Sequence, residues 1–181
     1  NVKYTLPDIS LNNNGDDILP GRVAVMKTIG SWSLNANGFL VRKSLWSGTS
    51  LFLNRDANWM DADDVSTREM ILSANKVAFS DAVYYYRIHS EAITKKLSVK
   101  KFHTLITDEC VVRMIDGEFG KKSPQARITR NQYVHRILSF MRLVVVNKGR
   151  LSCDDFSEII LLIKKHFSAC SAADILNSDL K

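Results

Sequence analysis

Cysteine is scarce: Cys110, Cys153 and Cys170 are the only three in 181 residues. An odd number at wide spacing argues against a disulfide framework, and no Cys-x-x-Cys pair is present to hold zinc. Each reads as a small apolar residue on a helix, and a reducing cytoplasm is expected. Long apolar runs are missing too. Leu143 to Val146 and Ile159 to Ile163 fall far below the roughly 18 residues that span a bilayer. The opening residues, Asn1-Val2-Lys3-Tyr4-Thr5, carry no apolar core of a secretory signal. They do not begin with Met either, so an upstream segment is expected. Tryptophan stops at Trp59, and there is no internal repeat or low-complexity segment.

What is present suffices for a core. Hydrophobic residues make up 45% and charged ones 24%, which excludes a disordered chain and an integral membrane protein. The net charge of +6 is unevenly placed. Residues 1–90 hold nine Lys and Arg against nine acids, whereas residues 91–181 hold 16 against 10. Two compositional regimes predict two structural layers.

In the first half the patterning is short-ranged. Arg22 to Ile29, Phe39-Leu40-Val41, Lys76 to Phe79 and Ala82 to Tyr86 read as strands, being β-branched or aromatic with partial alternation. Val65 to Asn75 reads as a helix. After residue 95 the period becomes helical. A first helix runs from Ser98 to about Asp116, and Gly117 to Ser123 is a basic loop. Ser123-Pro124 is a cap-then-proline start, with Thr129 and Gln132 as a second possible capping box. Its stripe is Tyr133, Ile137, Phe140, Met141, Val144 and Val145. Ser152 caps a further helix whose stripe is Phe156, Ile159, Ile160, Ile163 and Phe167, and a short helix spans Ala172 to Leu176. The expected fold is α+β: short mixed or antiparallel strands first, then a three- to four-helix bundle. The expected division is 1–96 and 97–181.

Two clusters carry possible chemistry. Trp59-Met60-Asp61-Ala62-Asp63-Asp64 stands directly before a helical pattern. A helix start accounts for one acid, because the first-turn amides and the macrodipole favour it. Three acids in four residues exceed a cap and suit a general base or a cation site. The second cluster is Tyr84-Tyr85-Tyr86-Arg87-Ile88-His89-Ser90, a strand running into a loop. Arg87 and His89, two apart, share a strand face. Arginine suits a phosphate and histidine a metal or an oxyanion. An ion pair for Arg87 and an exposed loop position for His89 explain them equally simply.

Three runs then fall in a familiar order: Asp63-Asp64-Val65-Ser66-Thr67-Arg68, Ala74-Asn75-Lys76-Val77-Ala78-Phe79 and Tyr84 to Thr94. Together with Asn37 to Trp46, they resemble the C-terminal part of bacterial family 2 glycosyltransferases over residues 36–96. The resemblance implies a fragment of a GT-A α/β fold and the transfer of a sugar from a nucleotide diphosphate donor to an acceptor hydroxyl, with inversion. It implies a general base at Asp63 or Asp64, donor-diphosphate contacts from Arg87 and His89, and His89 as a metal ligand. Trp59 and Asp61 are then acceptor-side residues. Mg2+ or Mn2+ is expected in the complete enzyme, with none held by this chain alone.

The same resemblance places a nucleotide-binding half upstream, so the isolated chain is expected to be inactive. Asp61-Ala62-Asp63 spells the Asp-x-Asp of a metal motif but aligns with the acceptor-side pair. The implied partners are a nucleotide-sugar and a saccharide or lipid-linked acceptor, with a role in cell-surface polysaccharide synthesis. Lys95, Lys96, Lys100, Lys101, Lys121, Lys122, Arg127 and Arg130 form a basic series. It is either a solvated face or an attraction to anionic headgroups, which would put the protein at the inner face of the membrane. The alternative is a non-enzymatic basic helical module for nucleic acid or an anionic membrane. Against nucleic acid, the basic helices lack interleaved aromatics and helix-turn-helix spacing.

Overall fold

The computed structural model describes residues 18–29, 40–53, 59–78 and 97–176. Helix α1 (Gly21–Thr28) stands where alternation predicts a strand. A strand would put Val23 and Val25 on one face, yet Val25 is 0% exposed and Val23 38%. The buried set, Gly21, Ala24, Val25 and Thr28, follows helical spacing instead. Thr28 closes the helix by donating its hydroxyl to the Val25 carbonyl at 2.7 Å.

Three further helices complete the described part of the first unit: α2 (Lys43–Ser47), α3 (Ser50–Leu53) and α4 (Ala62–Ser73). Helix α4 is the hub on which α1, α2 and α3 pack. Its C-terminal carbonyls, which lack partners within the helix, are met by the start of α1. The Gly21 amide donates to the Ala74 carbonyl at 3.2 Å. A Cβ on Gly21 would lie 1.9 Å from the Ile71 carbonyl oxygen and 2.6 Å from that of Ala74. Only glycine permits that approach. Leu19 and Val77 then exchange two backbone hydrogen bonds of 2.8 Å as an isolated antiparallel bridge.

The second unit is helical by a different logic: long amphipathic stripes around one apolar core. It contains α5 (Val99–Phe102), α6 (Thr104–Phe119), α7 (Pro124–Asn147), a 3₁₀ turn (Lys148–Arg150), α8 (Cys153–Ser168) and α9 (Ala172–Leu176). Phe102, Leu105, Tyr133, Ile137, Phe140, Val144, Ile159 and Ile163 form the core. Phe102 and Phe140 meet with ring centroids 4.7 Å apart, in a tilted pair of the kind aromatic quadrupoles favour. Ser123 and Ser152 cap α7 and α8 by accepting from the amides of Ala126 and Asp155, each at 3.1 Å. Pro124 at the first helical position of α7 needs no amide partner.

Several expectations are corrected. The α+β class is overturned, because the described residues hold helices and one isolated bridge but no sheet. The described part of the first unit therefore lacks the strands of the GT-A fragment expected of it. Short β-branched runs are ambiguous by periodicity, and burial against α4 selects the helix at 22–28. Of Lys76, Val77 and Ala78, only Val77 makes a bridge, and Phe79 lies outside the described residues; Leu40 and Val41 are irregular. Phe39 and the strand expected at 82–86 lie outside the described residues. The helix expected from Ser98 to Asp116 is two helices separated at His103, and α6 runs through Gly117 to end at Gly120, whose φ of 85° suits glycine. Thr129 is not a cap. It lies inside α7 and donates to the Gln125 carbonyl at 2.9 Å.

The chain divides into two compact units, Asn1–Asn58 with Ala62–Ala92, and Trp59–Asp61 with Ile93–Lys181. Among the described residues no helix is long and apolar enough to cross a membrane.

Candidate functional site

The acidic cluster straddles the start of α4. Asp61 adopts a φ of 58°, a left-handed conformation that aspartate tolerates better than most residues. That turn ends the preceding segment and lets α4 begin at Ala62. Asp63 and Asp64 then fall in the first helical turn, where the exposed amides favour each by about 0.3–1 kcal/mol. Val65 and Met70 anchor the buried face of the same helix.

Each acid has its own surroundings. The Asp61 carboxylate accepts from the Thr104 hydroxyl at 2.8 Å, and Thr107 donates to the Met60 carbonyl at 2.6 Å. Both bonds lie within the second unit and tie Met60 and Asp61 to α6. Trp59 lies beside them, half-buried, and its indole nitrogen has no partner among the described residues. Asp63 is exposed; its backbone carbonyl accepts from the Ser66 hydroxyl at 3.1 Å. Asp64 is half-buried, and Arg68 lies one turn on with a nitrogen 3.6 Å from its carboxylate. The same guanidinium donates to the Asp64 carbonyl at 3.1 Å. A pair at this spacing adds about 0.2–0.5 kcal/mol to a helix. The pair lies beyond hydrogen-bond distance, so it biases the carboxylate toward Arg68 without locking it.

The arrangement offers an oriented carboxylate at a helix start rather than a cation cage. Among the described residues, no three His, Cys, Asp or Glu side chains converge to hold a metal. Asp61 is engaged by Thr104 and Asp64 lies beside Arg68. Arg87 and His89, the expected diphosphate and metal contacts, lie outside the described residues.

A buried polar group that the stripe reading passes over is held in the core of the second unit. Tyr133 Oη and His166 Nδ1 are 2.6 Å apart, and Glu109 Oε2 lies 3.2 Å from the same nitrogen. Glu109 also pairs with Arg113. Burial pushes the Tyr133 phenol far above its ordinary value of 10, and the Glu109 charge adds to this. Burial holds the His166 imidazole below its usual 6.5, with Glu109 pulling the other way. The Cys170 thiol is pushed up by burial, with Asp174 and Glu109 contributing. The signal was available in the spacing: His166 follows Ile159 by seven and Ile163 by three, which puts it on the apolar face of α8.

Part of the basic series converges. Lys121, Lys122, Arg127 and Arg130 share the wall of one cavity. Lys100 and Lys101 lie apart from it, on α5. Lys95 and Lys96 lie outside the described residues. Comparison with family models, with curated proteins and with solved structures returns no match to this chain.

Proposed function

We propose that the chain is the acceptor-side part of an inverting glycosyltransferase of family 2, acting together with a donor-binding half. The observation that carries the reading is the half-buried Asp64 carboxylate, set in the first turn of α4 and oriented by Arg68. A general base works best with its acceptor atom directed toward the substrate, and the guanidinium 3.6 Å away biases the Asp64 carboxylate in this way. Asp63 is more exposed and has no such tether among the described residues.

In the proposed step Asp64 takes the proton of the acceptor hydroxyl. The freed oxygen forms a bond to the anomeric carbon from the face opposite the leaving group. The carbon–oxygen bond to the nucleoside diphosphate breaks, and the electron pair leaves with the diphosphate. Arg87 and His89 are assigned to that diphosphate. Trp59 and Asp61 are assigned to the acceptor side. The reading carries a cytoplasmic location at the inner face of the membrane, where a saccharide or lipid-linked acceptor is presented.

The test uses a longer protein that includes the donor-binding half, assayed with UDP- and GDP-sugars. Asp64→Asn should lower the transfer rate by about 10²–10⁴-fold with helix content unchanged by circular dichroism. Asp63→Asn should cost far less. If both variants keep full activity, or no sugar nucleotide is consumed, the reading fails.

A further inference from the structure

The junction between α6 and α7 holds a concave, half-open cavity of about 270 Å³. Its wall carries Lys121, Lys122, Arg127 and Arg130, with Asn131 beside them and Asp174 as the one acid. Arg130 is already committed. Its guanidinium lies 2.5 Å from Asp116 and 4.0 Å from Asp174, and it donates to the Lys121 carbonyl at 2.7 Å. These contacts fix Arg130 as a rigid wall and fasten the loop that carries the two lysines. Lys121, Lys122 and Arg127 are exposed, and none has an acid within ion-pair distance among the described residues.

Three cations around one hollow repel each other, and Asp174, the acid on the wall, is shared with Arg130 and Ser171 and offsets that repulsion only in part. On an open helix face such charges would splay into water. Here the wall is concave, so their fields add within one small volume. The volume lies just below the roughly 300–1,000 Å³ usual for small-molecule sites, which suits a compact ligand better than a nucleotide. The donors are two ammonium groups, a forked guanidinium and an amide, a set that matches tetrahedral phosphate oxygens.

We infer that the cavity formed by Lys121, Lys122, Arg127 and Asn131 against Arg130 binds a phosphate group, either of a small phosphate ester or diphosphate or of a lipid headgroup. The site lies wholly in the second unit and stands whether or not Asp64 acts on a sugar acceptor.

The test uses the full 181-residue chain. Pyrophosphate is titrated by calorimetry, and co-sedimentation is measured with phosphatidylcholine vesicles with and without phosphatidic acid. The Lys122→Gln/Arg127→Gln double variant changes only exposed side chains, and its folding is checked by circular dichroism. It should bind pyrophosphate at least about tenfold more weakly, two charge-assisted contacts being lost. Arg150→Gln, exposed in the 3₁₀ turn beyond the far end of the 24-residue α7, should bind as the parent does. Retention by phosphatidic acid vesicles that the double variant loses assigns the phosphate to a lipid. Pyrophosphate binding without vesicle retention assigns it to a free ester. The inference is overturned if pyrophosphate does not bind, or if Arg150→Gln weakens binding as much as the double variant. It is also overturned if only duplex RNA binds, since diffuse charge would then explain the result.

Discussion

Replacing Tyr133 by Phe removes a single oxygen from the core of the second unit and leaves the ring in place. In the parent the hydroxyl has one partner among the described residues, His166 Nδ1 at 2.6 Å, and the two residues are 6% and 1% exposed. With the phenol as the donor, the imidazole proton sits on Nε2, which has no partner among the described residues. Losing the hydroxyl forfeits about 1 kcal/mol of net hydrogen bonding, and stranding a buried acceptor would raise the cost to about 3 kcal/mol.

Glu109 limits the damage. Its carboxylate cannot donate to an unprotonated Nδ1, but it can accept from a protonated one at the observed 3.2 Å. The imidazole should therefore switch tautomer, and the net loss should be about 1–2 kcal/mol, between the two limits. Urea denaturation followed by circular dichroism should show the midpoint falling by roughly 0.5–1 M for a slope near 2 kcal/mol per molar. Nitrogen NMR of the imidazole should move from the Nε2–H to the Nδ1–H pattern. A loss below about 0.5 kcal/mol, or an unchanged tautomer, would refute the reasoning.

Two further outcomes follow from the same structure. Burial holds the folded-state pKa of His166 below 6.5, so the unfolded chain binds the proton at higher pH than the folded one. This contribution to stability is full above about pH 6.5 and is lost as pH falls from there toward the lowered folded value. His166→Phe should flatten the stability profile in that window, and an unchanged slope would exclude His166 as its source. Gly21→Ala places a Cβ 1.9 Å and 2.6 Å from two backbone oxygens, so α1 must back away from α4 at a cost of about 1–3 kcal/mol. Faster hydrogen exchange in α1 should report it. Gly149→Ala, with nothing within 4 Å, should stay within about 0.5 kcal/mol.

The second unit was largely legible in its residues. A stripe such as Tyr133, Ile137, Phe140 and Val144 has one solution, a helix with that face inward, and serine caps mark two of the starts. Breaks inside long helical patterns were less legible. The separation at His103 and the continuation through Gly117 both depend on packing rather than propensity. The first unit misled because eight residues with two valines at alternate positions satisfy a strand and a helix equally. The acidic cluster was visible as composition, but Arg68 pairing with Asp64 and Thr104 bonding to Asp61 were not. The second joins residues 43 apart in sequence.

Taken alone, the sequence determined the uneven charge, the helical period after residue 95 and the serine caps, because these are local properties of composition and spacing. Tertiary contact decided the rest. It made 22–28 a helix, since Gly21 meets α4 more closely than any side chain allows. It separated neighbouring aspartates by giving Asp61 and Asp64 different partners, Thr104 and Arg68. It also gathered cations from α7 and the loop before it around one hollow, where a list of basic residues shows only a charge.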